Sequence, residues 1–175
     1  MNTNSVRNAQ APLRKQYTSD PDTARIVDSA RAYFAAKDDP FHSSVEPMPG
    51  CGVVLPVGVH RALGGLHDAP TPGDILCAAL SECQDSTIRM IANILGVELE
   101  SLEVSVKADI DVRGTMMVDK QVPVGFQAMY CNVSLHVKEG TDPRLVERLK
   151  ATAEHSCVVL QTLRSPPPVE IQFMT

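Results

Sequence analysis

Residues Thr71–Gly96 read TPGDILCAALSECQDSTIRMIANILG, and this stretch decides the fold. Thr71 is suited to cap a helix, because its hydroxyl can accept a free backbone N–H of the first turn. Pro72 suits the first helical position. Asp74 falls three residues after the cap, where a negative charge favours the helix start. Gly96 is a natural stop, since glycine tolerates the left-handed backbone that closes a helix. Between these marks Leu76, Ala79, Leu80, Cys83, Thr87, Met90, Ile91 and Ile94 recur at helical spacing. Ile75, Cys77, Ala78, Ile88 and Leu95 widen the stripe. The polar residues Glu82, Gln84, Asp85, Arg89 and Asn93 fall mostly in the second half, with Asp85 and Arg89 spaced to pair. The first half is apolar nearly all round, which predicts a helix covered on most sides. Cys83 lies mid-helix on that stripe.

Working outward, the 175 residues suit one domain, and the expected organisation is a loose arm over 1–19 followed by a single domain over 20–175. Hydrophobic residues make up 43% and charged residues 21%, the balance of a globular chain. The net charge is -5 with Lys and Arg scattered, so no nucleic-acid partner is expected. No apolar run approaches the ~20 residues of a membrane span. MNTNSVRNAQAPLRKQY lacks the apolar core of a signal peptide, so the expected location is cytoplasmic, where thiols stay reduced. Cys51, Cys77, Cys83, Cys131 and Cys157 form no CxxC and no Cys/His zinc spacing, so neither a metal nor a cofactor is expected.

Asp20–Asp39 reads two ways. ARAYFAAK holds good helix formers, yet Ile26, Ala30, Ala32 and Phe34 alternate with polar neighbours as in a strand. A turn at Asp38–Pro40 leads into FHSSVE, Phe41–Glu46, a second short strand candidate. CGVVLPVGV, Cys51–Val59, is interrupted by proline and is at best an edge strand. Gly64 and Gly65 then form a tight turn, flanked by His60 and His67, both read as loop histidines. Leu102, Val104, Val106, Ala108, Ile110 and Val112 alternate on one face of a strand. Met129, Cys131, Val133, Leu135 and Val137 form the core face of a second strand, expected to pair with the first antiparallel. Asp142-Pro143 opens another helix with Leu145, Val146, Leu149, Ala153 and Ser156 inward. Cys157–Leu163 continues as a further helical piece, and VEIQF, Val169–Phe173, is read as a closing strand.

A buried cysteine is ordinarily a small hydrophobe. That reading suits Cys77 and Cys131, while Cys51 sits in a loop. Cys157 differs: it stands where one helix ends and the next begins. Backbone N–H groups there would favour a thiolate. Ser86 and Thr87 lie near Cys83, but no Ser-His-Asp spacing supports hydrolysis. Asp109, Asp111 and Asp119 read as a solvated face.

The block PGDILCAALSECQDSTIRMIA, then a strand with RGT and VGF around its loop, then AEHSCVVLQTL and a closing strand, resembles the superfamily of osmotically inducible protein C (OsmC) and organic hydroperoxide resistance (Ohr) proteins. The resemblance runs from about Gly64 to Phe173. It rests most on a small-residue helix with one cysteine, followed much later by Glu154-x-x-Cys157. It implies an α+β OsmC-like fold, with antiparallel sheets wrapped around central helices in an intertwined homodimer. It also tips residues 20–46 toward a strand hairpin. The apolar girth of Ile75–Leu80 agrees with a dimer core.

The resemblance implies catalytic roles for Cys83, as the peroxidatic cysteine, and Cys157, as the resolving one. The implied activity is reduction of organic hydroperoxides to alcohols, with a dithiol reductant restoring the thiols. Three positions depart from the pattern. The glutamate of the hydroperoxide resistance branch is replaced by Gly73, and Asp74 points about 100° further round the helix. The arginine that steadies the thiolate has only Arg31 and Arg61 as candidates. Val158 and Val159 replace an aromatic and a proline. A mid-helix apolar setting is unfavourable for a thiolate, so Cys83 needs a cation from outside its own helix. The competing reading is a non-enzymatic OsmC-like dimer that binds a small apolar ligand, with structural cysteines.

Overall fold

The computed structural model describes residues 5–34 and 36–174. Its elements run α1 (Ser5–Ser19), β1 (Ala30–Phe34), β2 (Ser43–Pro47), β3 (Leu55–Val57), α2 (Pro72–Leu95), β4 (Leu99–Asp109), α3 (Val112–Thr115), β5 (Ala128–Val137), α4 (Pro143–Ser156) and α5 (Val158–Arg164). Contacts gather into two compact units, one of residues 5–11, 79–105 and 131–174, the other of 12–78 and 106–130. No helix among the described residues is long and apolar enough to cross a membrane.

The caps of α2 form as its sequence dictates. The Thr71 hydroxyl accepts the Asp74 N–H at 3.2 Å, and the Asp74 carboxylate accepts the Thr71 N–H at 2.8 Å. Two otherwise free donors are thus satisfied reciprocally. At the far end Gly96 takes a left-handed φ of 72°. The Val97 N–H donates to the Ala92 carbonyl at 2.9 Å and the Gly96 N–H to the Asn93 carbonyl at 3.3 Å. This closure folds Val97 back onto the core beside Ala92.

The core of the first unit joins Ile88, Ala92 and Val97 to Leu149 and Ala153 of α4. Leu102, Val104, Leu135 and Val137 pack against it from the two-stranded β4–β5 sheet. Gln127 N–H donates to the Asp109 carbonyl and Lys138 N–H to that of Glu98, which fixes the pair as antiparallel. In the second unit β1 and β2 pair antiparallel with Ala30 opposite Pro47 and Ala32 opposite Val45. The proline-containing β3 is an edge strand, pairing Leu55 with Val45. Gly64 takes a φ of 88°, and a Cβ on Gly65 would run into the Val59 carbonyl, so both glycines serve the turn.

The segment before Ser19, expected to be a loose arm, is helical over Ser5–Ser19. Its Ala, Gln, Arg, Leu and Lys residues are good helix formers, and none of its residues is buried, so no apolar period marks it. Its start is tied to the end of α2: the Val6 N–H donates to Asn93 Oδ1 at 3.0 Å and Arg7 to the Ile94 carbonyl at 2.9 Å. The expected closing strand is absent over Val169–Phe173, where the alternating apolar side chains are exposed. β4 ends at Asp109 because Asp111 caps α3, its side chain accepting the Arg113 N–H. Ser156, expected inward on α4, is exposed, as are Cys131 and Val133 of the expected core face of β5. The largest departure is in α2, whose first half, expected to be covered, leaves Leu76 36% exposed with Ala78 and Ala79 also exposed.

Candidate functional site

α2 carries Cys83 near its middle, and the Thr87 hydroxyl donates to the Cys83 carbonyl at 2.6 Å. Cys157 is placed by a break in the helical chain. Its φ of -75° and ψ of 107° are extended, so it ends α4 and starts α5. Glu154 splints the break. Its carbonyl accepts the Gln161 side-chain amide at 2.9 Å, and its carboxylate accepts Arg164 at 2.8 Å. The extended residue turns its sulfur inward, where Cys157 is 0% exposed. There the Cys157 thiol donates to the Cys83 sulfur at a separation of 3.3 Å. Two cysteines 74 positions apart in the chain thus meet, and Cys83 is the partly exposed member.

The electrostatics overturn one expectation. Cys157 was expected to favour its thiolate at a helix start. Instead its pKa is pushed up to about 11, first by burial. The Leu160 N–H does pull it down, but that pull is outweighed, with the neighbouring Cys83 adding to the rise. A seven-residue helix offers few aligned dipoles against complete desolvation. All five cysteines are free thiols. Partial desolvation also shifts the Cys77 thiol and that of the otherwise exposed Cys131 up, and the exposed Cys51 thiol donates to the Pro47 carbonyl.

The two candidate arginines are engaged within the second unit. Arg31 binds Glu46 at 3.0 Å, with its guanidinium 5.8 Å from the centre of the Tyr33 ring. Arg61 donates to the Leu66 carbonyl at 3.1 Å. Gly73, at the position of the glutamate of the hydroperoxide resistance branch, faces the Phe126 ring: a Cβ there would lie 3.1 Å from Phe126 Cζ. Asp74 is committed to the helix cap, with His67 3.7 Å away. The His60 and His67 rings lie 4.3 Å apart, tilted by 49°, and His60 Nδ1 accepts the Ala62 N–H. His42 bridges Asp39 at 2.7 Å and Asp68 at 3.0 Å, and these carboxylates, Asp68 first, raise its pKa. Among the described residues no group of His, Cys, Asp and Glu could hold a metal ion.

The first unit also holds a groove of about 330 Å³, which neither Cys83 nor Cys157 lines. Its walls include Gln84, Ile88, Cys131, Val133, Leu149 and Leu160. Gln84, a polar residue of α2, is buried. The signal was present: Leu80, Gln84, Ile88 and Ala92 are spaced by four, so Gln84 stands on the helix's most buried line.

A family model described as OsmC-like protein matches residues 65–172. No curated protein matches the chain. Among solved structures, the chain is similar to an OsmC-like protein from Mycoplasma pneumoniae, with a TM-score of 0.64, 11% identity, and 81% of this chain and 89% of that one covered. It is also similar to an organic hydroperoxide resistance protein OsmC from Legionella pneumophila, with a TM-score of 0.54, 22% identity, and coverages of 80% and 90%. An organic hydroperoxide resistance protein from Elizabethkingia anophelis gives a TM-score of 0.54, 18% identity, and coverages of 81% and 91%.

Proposed function

This chain belongs to the OsmC-like protein family, and from that premise we propose that it reduces organic hydroperoxides to alcohols through Cys83 and Cys157. The observation that carries the reading is the 3.3 Å approach of a partly exposed sulfur to a fully buried one. Cys157 is sealed from solvent and burial pushes its thiol up to about 11, so we assign the attack on peroxide to the partly exposed Cys83 and the resolving step to Cys157. The Cys83 sulfur attacks the outer oxygen of R–O–OH and the O–O bond breaks. The alkoxide leaves and takes a proton to become the alcohol, while Cys83 becomes a sulfenic acid. The Cys157 sulfur then attacks the sulfenic sulfur. An S–S bond forms, and hydroxide leaves as water with the Cys157 proton. Closing to a disulfide of ~2.05 Å asks for a shift of about 1 Å in the sulfurs. A dithiol reductant is oxidised to its own disulfide as it restores both thiols.

Such a cycle belongs in a reducing compartment such as the cytoplasm. We take residues 20–175 to act as one OsmC-like domain behind the segment 1–19, and the working form to be a homodimer. The exposed apolar start of α2 supports the dimer.

A count of free thiols tests the cycle. One equivalent of cumene hydroperoxide removes two thiols per chain, and an unchanged count overturns the reading. With a sulfenic-acid trap, Cys157→Ser forms its adduct at Cys83 and stalls there, while Cys83→Ser forms none. An adduct at Cys157 in the latter variant reverses the roles.

A second reading, a non-enzymatic dimer that binds an apolar ligand and keeps its cysteines as structure, is favoured by one observation. Gly73 has no carboxylate, and a Cβ there would crowd the edge of the Phe126 ring at 3.1 Å.

A further inference from the structure

Cys131 is a third thiol beside the pair. It is exposed on β5 and lines the groove with Ala153, Glu154 and Leu160, which stand three or four places from Cys157 along the α4–α5 joint. Cys157 also feels Cys131 electrostatically, as one of the groups that raise its pKa. Cys157 therefore lies between two thiols, Cys83 of α2 at 3.3 Å and Cys131 at the groove.

The burial of Cys157 makes a Cys83–Cys157 disulfide hard to reduce from outside. An external thiol meets the partly exposed Cys83 sulfur and not the sealed Cys157. Attack at Cys83 must expel Cys157 as a thiolate. That is a poor leaving group, because burial holds its pKa at about 11 and thiols of high pKa leave slowly. The Cys83 thiol that meets it in the reduced protein is then tied up in the mixed disulfide and cannot supply a proton.

We propose that Cys131 is a third redox residue, which takes the disulfide over from Cys83 and presents it at the groove to the dithiol reductant. This deepens the peroxidase reading and rests on it, because that cycle makes the first disulfide. The Cys131 sulfur attacks Cys157. The Cys131–Cys157 bond forms, the Cys83–Cys157 bond breaks, and Cys83 leaves to become a thiol with the proton that Cys131 gives up. Partial desolvation raises the Cys131 pKa, which lowers its thiolate fraction but leaves each thiolate the stronger nucleophile. The reductant then attacks the exposed Cys131 sulfur. Cys157 leaves beside a free Cys83 thiol, its 3.3 Å neighbour in the reduced pair, which donates a proton to it. Cys83 regains a proton from solvent, replacing the one the reductant released. The reductant's second thiol attacks its own sulfur in the mixed disulfide, which frees Cys131 as a thiol and releases the reductant as its disulfide.

The test follows disulfide linkages in the full-length protein. The reduced protein is treated with one equivalent of cumene hydroperoxide, quenched in acid at intervals, alkylated, digested and mapped by mass spectrometry. A Cys83–Cys157 linkage forms first, and a Cys131–Cys157 linkage grows from it. With limiting glutathione the mixed disulfide sits on Cys131. In Cys131→Ser only the first linkage forms, and dithiothreitol reduces it at least about tenfold more slowly. Absence of the Cys131–Cys157 linkage overturns the proposal, as does a glutathione adduct on Cys83 or an unchanged dithiothreitol rate in Cys131→Ser. The linkage map needs no variant, so it decides the matter if Cys131→Ser does not fold. Diamide, which oxidises thiols without peroxide, separates this proposal from the reading it rests on. If cumene hydroperoxide removes no thiols but a diamide-made Cys83–Cys157 disulfide passes to Cys131, the relay stands and the peroxidase reading falls. Two thiols lost to cumene hydroperoxide with Cys83–Cys157 as the lasting linkage leaves the peroxidase reading and removes the relay.

Discussion

The two halves of α2 have similar apolar content but differ in how much of it is covered. In the second half Ile88 and Ala92 are sealed between the β4–β5 sheet and α4. In the first half Leu76, Ala78 and Ala79 meet solvent in the single chain. One helix thus shows that apolar girth states how much cover a segment calls for without naming its source. Most of the second-half stripe finds cover within its own chain, Met90 excepted, whereas in the first half Leu80 does and Leu76, Ala78 and Ala79 do not. The uncovered start of the helix supports our proposal of a second copy.

Three measurements bear on that contrast, taken from the largest expected effect down. Leu149 is fully buried against the second half, so Leu149→Ala leaves a cavity there. It is expected to lower stability by about 2–5 kcal/mol in urea unfolding, and a loss below ~1 kcal/mol would show that this core is not what holds the unit.

At the first half, Leu76→Asp is expected to reduce the mass seen by light scattering from that of a dimer to that of a monomer. The helical circular dichroism should stay unchanged. A monomer mass for the unmodified protein at micromolar concentration would remove the second copy, and the start of α2 would then simply be an exposed apolar surface.

The smallest effect is one of pH. The loop leading into α2 is held by His42 between Asp68 and Asp39, and its pKa is raised by them. A raised histidine contributes stability that is fully present below its unfolded value of ~6.5 and is lost as pH rises through the folded value. Hydrogen exchange around Asp68, corrected for intrinsic rate, is expected to accelerate across that window, while amides near Ile88 and Ala92 stay protected. In His42→Gln the pH step should vanish. A step that persists would assign it to another group.

Local chemistry made much of the fold legible. Thr71, Pro72, Asp74 and Gly96 each have one dominant backbone use, and the helix they bound falls where they indicate. The β1–β2 hairpin was harder, because ARAYF satisfies helical propensity and strand alternation together. The resemblance tipped the balance, and pairing across the sheet is what outweighs propensity in the structure. VEIQF has the alternation of a strand, but a strand also needs a neighbour, which a pattern within five residues cannot supply. The meeting of Cys83 with Cys157 depends on the packing of α2 against the α4–α5 break, and no local spacing encodes it. The Cys157 titration was misread because a helix start is visible in sequence, whereas complete desolvation is not. Gln84 was legible in principle, since its place on the Leu80–Ile88 line marks a polar group headed for burial.

The splint at Glu154 makes the α4–α5 joint tolerant of drift. Its two grips come from one residue but differ in kind: one from the backbone carbonyl, the other from the carboxylate. Replacing Glu154 or Arg164 cuts only the carboxylate grip, while the carbonyl is present whatever side chain position 154 carries. The joint that aims Cys157 therefore weakens by degrees, and Gln161, which reaches the carbonyl, is left with the less replaceable part.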